Sequence, residues 1–293
     1  MANILDGRKI SEKIRESISV EVDDLKRLGV TPGLAVVLVG DNKASKTYVT
    51  MKQKACEKLG MHSILFEYPE SLTEQELLAK VQELNEDESI HGILVQLPLP
   101  EHLSEVKIIE SIAPEKDVDG LHPISIGRMM TGQETFLPCT PFGIMKMLEF
   151  ENISVEGKHV VIVGRSNIVG KPAGQLFLQQ NATVTYCHSR TKDLEVHTRR
   201  ADIIVMAVGK AKLLKEDHIK DGAIVIDVGM NRDENGKLCG DVDYESVKEK
   251  SAYITPVPGG VGPMTITMLM NNTLISAKRS NSFILSKVAT LEK

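Results

Sequence analysis

The stretch HVVIVGRSNIVGKPAGQLF, residues 159–177, decides the fold. Four β-branched residues, Val160 to Val163, run without alternation, the pattern of a strand buried on both faces of a parallel sheet. Gly164 ends that strand. Gly170 opens a helical segment whose free N–H groups and positive dipole end attract phosphate. A Walker A loop needs four residues between its glycines and Ser or Thr after its lysine. Here five residues separate Gly164 from Gly170 and Pro172 follows Lys171, which disfavours ATP. The dinucleotide pattern G-x-G-x-x-G is not met literally either, because Ser166 stands at its second glycine. A glycine turn between strand and helix also serves as plain structure, and this turn alone leaves both readings open.

The next strand, ATVTYC (182–187), favours the nucleotide. In an NAD site an Asp or Glu near its end binds the ribose 2′-hydroxyl. This chain places His188, Ser189 and Arg190 there. A hydroxyl and a guanidinium suit a 2′-phosphate, and Arg165 in the glycine turn supplies a second charge. The expectation is NADP; the alternative is a solvated polar strand end.

Working outward, ADIIVMAVG (201–209) and GAIVIDVG (222–229) are further strand-like runs in the second half. In the first half, LAVVLV (34–39), SILFEY (63–68) and GILVQ (92–96) alternate with helical segments. Among the helices, Ile10, Ile14, Ile18, Val22, Leu25 and Leu28 form one stripe stopped by Gly29. A second helix spans 43–60, and Leu77, Leu78, Val81 and Leu84 mark a third. Alternating strands and helices predict a parallel α/β sheet in each half. Between them, LPLPEHL, APEKDVDGLHP and LPCTPFG (within 97–143) are dense in Pro and Gly and read as surface loops or connections. The first boundary falls near residue 140. A final helix is expected after PVPGGVGPMT, and residues 270–293, without a strand of their own, are expected to pack back on the first domain.

Composition narrows the function. Hydrophobic residues at 42% and charged residues at 26% are a globular mix over 293 residues, enough for one large domain or two of ordinary size. A net charge of -5 gives no electrostatic case for nucleic acid or an anionic membrane. Neither a membrane-length apolar run nor a signal-peptide core is present. Four scattered cysteines without a C-x-x-C pair suit a reducing cytosol, and with no H-E-x-x-H arrangement no metal is expected.

The helical stretch SKTYVTMKQKAC (45–56) places Tyr48 and Lys52 four residues apart on one face, with Ser45 a turn earlier. Taken alone, a helical lysine is a solvated charge and a helical tyrosine is core packing. YVTMKQKAC, VQLPLP, PEKDVDGLHP, PCTPFG, GRSNIVGKP and TPVPGGVGPMT, in this order along nearly the whole chain, closely resemble the bifunctional methylenetetrahydrofolate dehydrogenase/methenyltetrahydrofolate cyclohydrolase family. Leu121 departs slightly, where an aromatic often follows the DVDG glycine.

The resemblance implies two α/β domains with a cleft between them. Residues 1–139 and 270–293 would form the folate-binding catalytic domain, and 140–269 a Rossmann-type NADP-binding domain. It implies oxidation of 5,10-methylenetetrahydrofolate with NADP, then hydrolysis of the methenyl cation to 10-formyltetrahydrofolate. It further implies a cytoplasmic homodimer serving one-carbon metabolism and purine biosynthesis. Lys52 matches the family's catalytic lysine, Gln96 the residue that orients its amine, Tyr48 the tyrosine lining the pterin pocket, and Asp119 the carboxylate that anchors the pterin; Ser45 is given a supporting role. Pro258, Gly259 and Gly260 are expected to wrap the substrate, a merely structural turn being the alternative. Gly164, Arg165, Ser166, Ile168, Gly170, Ser189, Arg190 and Gly229 are expected to contact the cofactor. Asp117 reads as a backbone cap. The rivals are another two-domain NADP dehydrogenase, of the amino acid or shikimate type, and a binding-only NADPH protein.

Overall fold

The computed structural model describes residues 2–281. β1 (Asn3–Ile4) and α1 (Gly7–Arg27) open the chain. Ile10, Ile18, Val22 and Leu25 are buried along one stripe of α1, and Gly29 follows it at φ +83°. All seven residues of β2 (Gly33–Val39) are buried, as a run of Val and Leu without alternation demands. Then come α2 (Lys43–Lys58), β3 (His62–Tyr68), α3 (Glu74–Glu86), β4 (Gly92–Val95), α4 (Glu105–Ser111) and α5 (Pro123–Met130). Thr73 and Glu76 form a capping box at the start of α3. The strands make a three-stranded parallel sheet in the order β3-β2-β4. Val37, Val39, Leu77, Val81 and Ile93 fill one core on this sheet, each side chain contributing about 1.5–3 kcal/mol by leaving water.

The chain continues through α6 (Cys139–Phe150), β5 (His159–Val163), α7 (Gly170–Gln179), β6 (Thr183–Cys187), α8 (Leu194–Thr198), β7 (Ile203–Met206) and β8 (Ile224–Asp227). A short antiparallel hairpin follows, β9 (Asn231–Arg232) with β10 (Leu238–Cys239), then α9 (Tyr244–Val247), β11 (Tyr253–Ile254) and α10 (Val261–Ser280). β1, β11, β8, β7, β5 and β6 line up in that order as a parallel six-stranded sheet. From β5 the chain steps to β6 on one side and then to β7 on the other. The strand order therefore reverses at β5, the place where open α/β sheets bind ligands beyond their strands' carboxyl ends.

The described chain divides into two compact units, one comprising 13–137 and 266–281, the other 2–12 and 138–265. Two of the three boundaries fall inside α1 and α10, and the third just before α6. Residues 2–12 cluster with the second sheet, where β1 pairs in parallel with β11. From Met270, α10 packs on the first unit. Met270 Sδ lies 3.3 Å from Cys56 Sγ, Asn272 Nδ2 donates to Val118 O (2.9 Å) and Leu137 O (3.2 Å), and Ser276 Oγ donates to Glu115 O (2.8 Å). Of the segment 270–293, residues 282–293 lie outside the described ones.

Two sequence expectations are corrected. The stretch 97–143 is not all connecting loop, since Ser104 caps α4 and Pro123 begins α5. Nor is it all surface: Asp117, Val118 and His122 are buried. The last helix starts at Val261, within the glycine motif rather than after it.

Candidate functional site

The amine comes first. Asn42 caps α2 by accepting the N–H groups of Ala44 and Ser45, and Ser45, Val49, Lys52 and Cys56 form its buried face. Lys52 is 7% exposed, a degree of burial lysines rarely reach without a partner. Its Nζ donates to Gln96 Oε1 at 2.9 Å. Gln96 follows β4 directly and its N–H donates to Val37 O (2.8 Å), extending the sheet ladder. Its Nε2 donates to Leu97 O (2.6 Å), which turns the amide oxygen toward the amine. Tyr48 lies one turn before Lys52, half-buried, and burial raises its phenol further above neutrality, so it stays protonated. One turn after Lys52, burial pushes the Cys56 thiol up to about 11, which removes it as a nucleophile.

The pterin-anchoring candidate sits in a frame the sequence did not predict. Ile93 N–H donates to Lys116 O (2.9 Å), so the turn runs beside β4. A Cβ on Gly92 would lie 2.6 Å from the Val118 side chain. Lys116 Nζ donates to the carbonyls of Leu84 (3.0 Å) and Asp87 (2.7 Å), closing the C-terminal end of α3. Asp117 accepts from Leu121 N (3.1 Å), His122 N (2.9 Å) and Ser125 Oγ (2.7 Å). Burial pushes its carboxyl up to about 6, with the charge of Asp119 adding to the rise. Asp117 thus closes the turn. Asp119 is half-buried, and among the described residues no hydrogen bond or ion pair engages its carboxylate. Lys52 and Gln96 are joined directly. Asp119 belongs to the same unit through the turn, β4 and Asn272.

At the nucleotide turn, Gly164 has φ +138° and a Cβ there would meet Ala207 O at 2.3 Å. A Cβ on Gly170 would lie 2.4 Å from Gly164 O. A third glycine, missed in the sequence, is Gly174, whose Cβ would lie 2.3 Å from the Tyr186 hydroxyl. It lets α7 sit closely on β6, the role of the last glycine in dinucleotide folds. Ser166 Oγ accepts from Val169 N and Gly170 N, both at 3.2 Å. The helix N-terminus is therefore partly capped by the chain itself, not wholly open to phosphate as the sequence suggested. Arg165, Ser166, Asn167 and Ile168 are exposed.

Gly164 N donates to Cys187 O (2.9 Å), so this turn and the His188–Arg190 segment leave the sheet side by side. His188 Nδ1 accepts from Arg190 N (3.1 Å), Ser189 and Arg190 are exposed, and among the described residues neither Arg165 nor Arg190 has an acidic partner. With no carboxylate at the end of β6, these residues fit a nucleotide bearing a 2′-phosphate. Gly229 is glycine because a Cβ would lie 2.3 Å from the Asp241 carboxyl. Past the cis peptide bond before Pro258, Gly259 has φ +111°. Gly260 N donates to Pro256 O, and Gly259 O accepts from Arg8 N at the start of α1. Asn272, Asp227, Asp241 and Gly174 escaped the sequence reading. The available signals were a polar pair inside MLMNNTLI and a charge ending the buried run VIDVG.

A doubly wound parallel sheet with a glycine turn, and arginines after β5 and β6 that no described acidic residue pairs with, define a dinucleotide-dependent oxidoreductase class, here on one chain with a second α/β unit holding a buried lysine. The comparisons make that class specific. Residues 5–119 match the model of the tetrahydrofolate dehydrogenase/cyclohydrolase catalytic domain, and residues 138–281 that of its NAD(P)-binding domain. The chain belongs to the tetrahydrofolate dehydrogenase/cyclohydrolase family. It is 60% identical over 280 residues to the bifunctional protein FolD of Bacillus cytotoxicus, covering 96% of this chain and 98% of that protein. The structure of the bifunctional FolD dehydrogenase/cyclohydrolase from Campylobacter jejuni superposes with a TM-score of 0.94 at 53% identity, covering 96% of this chain and 100% of that one. The FolD enzyme of Trypanosoma brucei, solved with NADP cofactor and an inhibitor, has a TM-score of 0.92 at 40% identity, covering 95% and 98%.

Proposed function

We propose that Lys52 carries the proton transfers of a bifunctional folate enzyme. The chain oxidises 5,10-methylenetetrahydrofolate to the methenyl cation with NADP and hydrolyses that cation to 10-formyltetrahydrofolate. When bound, NADP supplies the hydride acceptor. Oxidation asks little acid–base chemistry of the protein, because its product is a stabilised cation. Hydrolysis asks more: attacking water loses a proton, and a ring nitrogen gains one as the ring opens. One group that takes and then returns a proton serves both transfers.

The observation that carries this reading is the buried Lys52 Nζ held 2.9 Å from Gln96 Oε1. A carboxamide accepts the hydrogen bond from the amine through a neutral oxygen and aims it, adding no negative charge of its own. Tyr48, protonated and one turn away, assists at the pterin, with Ser45 in support. Asp119, whose carboxylate no described residue engages, accepts the pterin 2-amino group and ring N–H. Pro258, Gly259 and Gly260 lie along the folate. Gly164, Arg165, Ser166, Ile168, Gly170, Ser189, Arg190 and Gly229 hold NADP, the two arginines and Ser189 on its 2′-phosphate.

The test is a coupled assay. Methylenetetrahydrofolate is supplied with NADP or NAD, and methenyl and formyl products are followed separately. Formyl product formed with NADP supports the reading. Methenyl that accumulates without enzymic hydrolysis would mark a plain dehydrogenase.

We also infer a homodimer. β6 is an edge strand with Tyr186 42% exposed on it, and Leu178 is 55% exposed on α7; an open edge of this kind is one a second copy can cover. Sedimentation at micromolar concentration tests this, and a single species at monomer mass refutes it. Cytoplasmic location and a part in purine supply belong to the same reading; purine-independent growth after loss of the gene product would count against the latter, and recovery with a membrane fraction against the former. No described helix is long and apolar enough to cross a membrane.

A further inference from the structure

Two buried aspartates of the nucleotide unit stand outside every assignment above. Asp227 ends β8 at 3% exposure, and Asp241 follows β10 at 0%. Asp241 Oδ2 accepts from Val208 N (2.7 Å) and Gly209 N (3.1 Å), and its Oδ1 from Lys210 N (2.8 Å) and Asn231 Nδ2 (2.9 Å). Three consecutive backbone N–H groups thus converge on one carboxylate, an arrangement elsewhere used to bind anions. Asp227 Oδ1 accepts from Gly229 N and Asp241 N, and its Oδ2 from Val242 N, each at 2.9 Å. Asp227 N in turn donates to Thr255 Oγ1 (2.7 Å), at the head of the glycine loop. Gly240 is forced by this packing, since a Cβ there would lie 1.8 Å from Asp227 Oδ2.

Holding carboxylates so deep is costly, and apolar residues of similar volume stabilise a core as well or better. Burial, helped by the charge of Asp241, pushes the Asp227 carboxyl up to about 7 in spite of the backbone donors that lower it. What the pair provides is geometry. The segment 208–210 follows β7 and 228–231 follows β8, both at the carboxyl ends of their strands. The crevice where the strand order reverses opens between β5 and β7, where Gly164 meets Ala207. Gly209, Lys210 and Met230 are exposed on these segments.

We propose that Asp241, set in place by Asp227, is a positioning residue that fixes the segments after β7 and β8 against the bound dinucleotide. This rests on the placement of NADP at that end of the sheet. Asp241→Ala should raise the KM for NADP about ten-fold. The KM for folate and the cofactor-free hydrolysis of added methenyltetrahydrofolate should stay within about two-fold of wild type. Asp241→Asn, which keeps one acceptor oxygen, should fall between. An unchanged NADP KM in a folded variant, or hydrolysis lost in step with oxidation, overturns the inference. If Asp241→Ala does not fold, Asn231→Ala removes a single bond to the same carboxylate, and an NADP KM equal to wild type there is equally fatal. Arg165→Ala, run alongside, separates the two readings: if it too leaves NADP binding untouched, the nucleotide placement falls as well.

Discussion

A lysine ammonium is compact and strongly hydrated, yet Lys52 keeps 7% of its surface and faces a neutral carboxamide. Gln96→Glu changes the geometry little and the charge completely. With the ammonium pinned by a carboxylate, methenyl hydrolysis should drop roughly 100-fold while NADP-linked oxidation changes little; assays of the two half-reactions on one preparation check this, and parallel losses would contradict it. Asp119→Ala removes a charged acceptor, a loss worth about 1.5–3 kcal/mol of binding. The folate KM should rise in both reactions, with the NADP KM unchanged. At this scale the sequence was informative through resemblance rather than spacing. Y-x-x-x-K indicates a shared helix face, but nothing in it indicates burial. Asp117 was legible as a cap of its own turn, but Asn272 was not, because its partner Val118 lies 154 residues away and meets it only once distant segments have packed.

Among the elements, the packing of β2 beside β4 includes a titratable link. His91 Nδ1 accepts from Gly33 N at 3.0 Å, which requires the neutral ring. Burial lowers its pKa below the usual 6.5, and the charge of Lys116 lowers it further. A depressed histidine contributes stability that is present above about 6.5 and lost as pH falls through its folded pKa. The raised carboxyls of Asp117 and Asp227 act oppositely, their contribution fading as pH rises from the ordinary 3.8 through about 6 and about 7. The measurement is therefore a difference. The gap in urea midpoint between wild type and His91→Gln should narrow from pH 7 to pH 5.5, and a constant gap would mean the ring does not titrate in this range. Gly164→Ala meets both a left-handed φ and a backbone oxygen at 2.3 Å, so it should cost about 1–3 kcal/mol and weaken NADP binding. Long apolar strands such as β2 and β5 were legible because both faces are buried. The two-residue strands β1 and β11 carry no period to read. Helices α4 and α5 were hidden by the prolines around them.

For the whole molecule, chemistry and cofactor selection fall to different units of one chain, so they should fail separately. A double change, Arg165→Ala with Arg190→Ala, should reduce the preference for NADP over NAD by at least about ten-fold and leave hydrolysis of supplied methenyltetrahydrofolate intact. Equal losses with both nucleotides would place the 2′-phosphate elsewhere. The overall α/β order could be read from alternating strand and helix signals. The pairing of β1 with β11 could not, since it joins segments about 250 residues apart.

The most direct test follows the absorbance of methenyltetrahydrofolate given to Lys52→Met. Methionine keeps the buried stem and removes the amine. The account predicts that enzymic decay of the methenyl signal vanishes while NADP reduction from methylenetetrahydrofolate continues and methenyl accumulates. Decay at the wild-type rate would show that another group moves the protons.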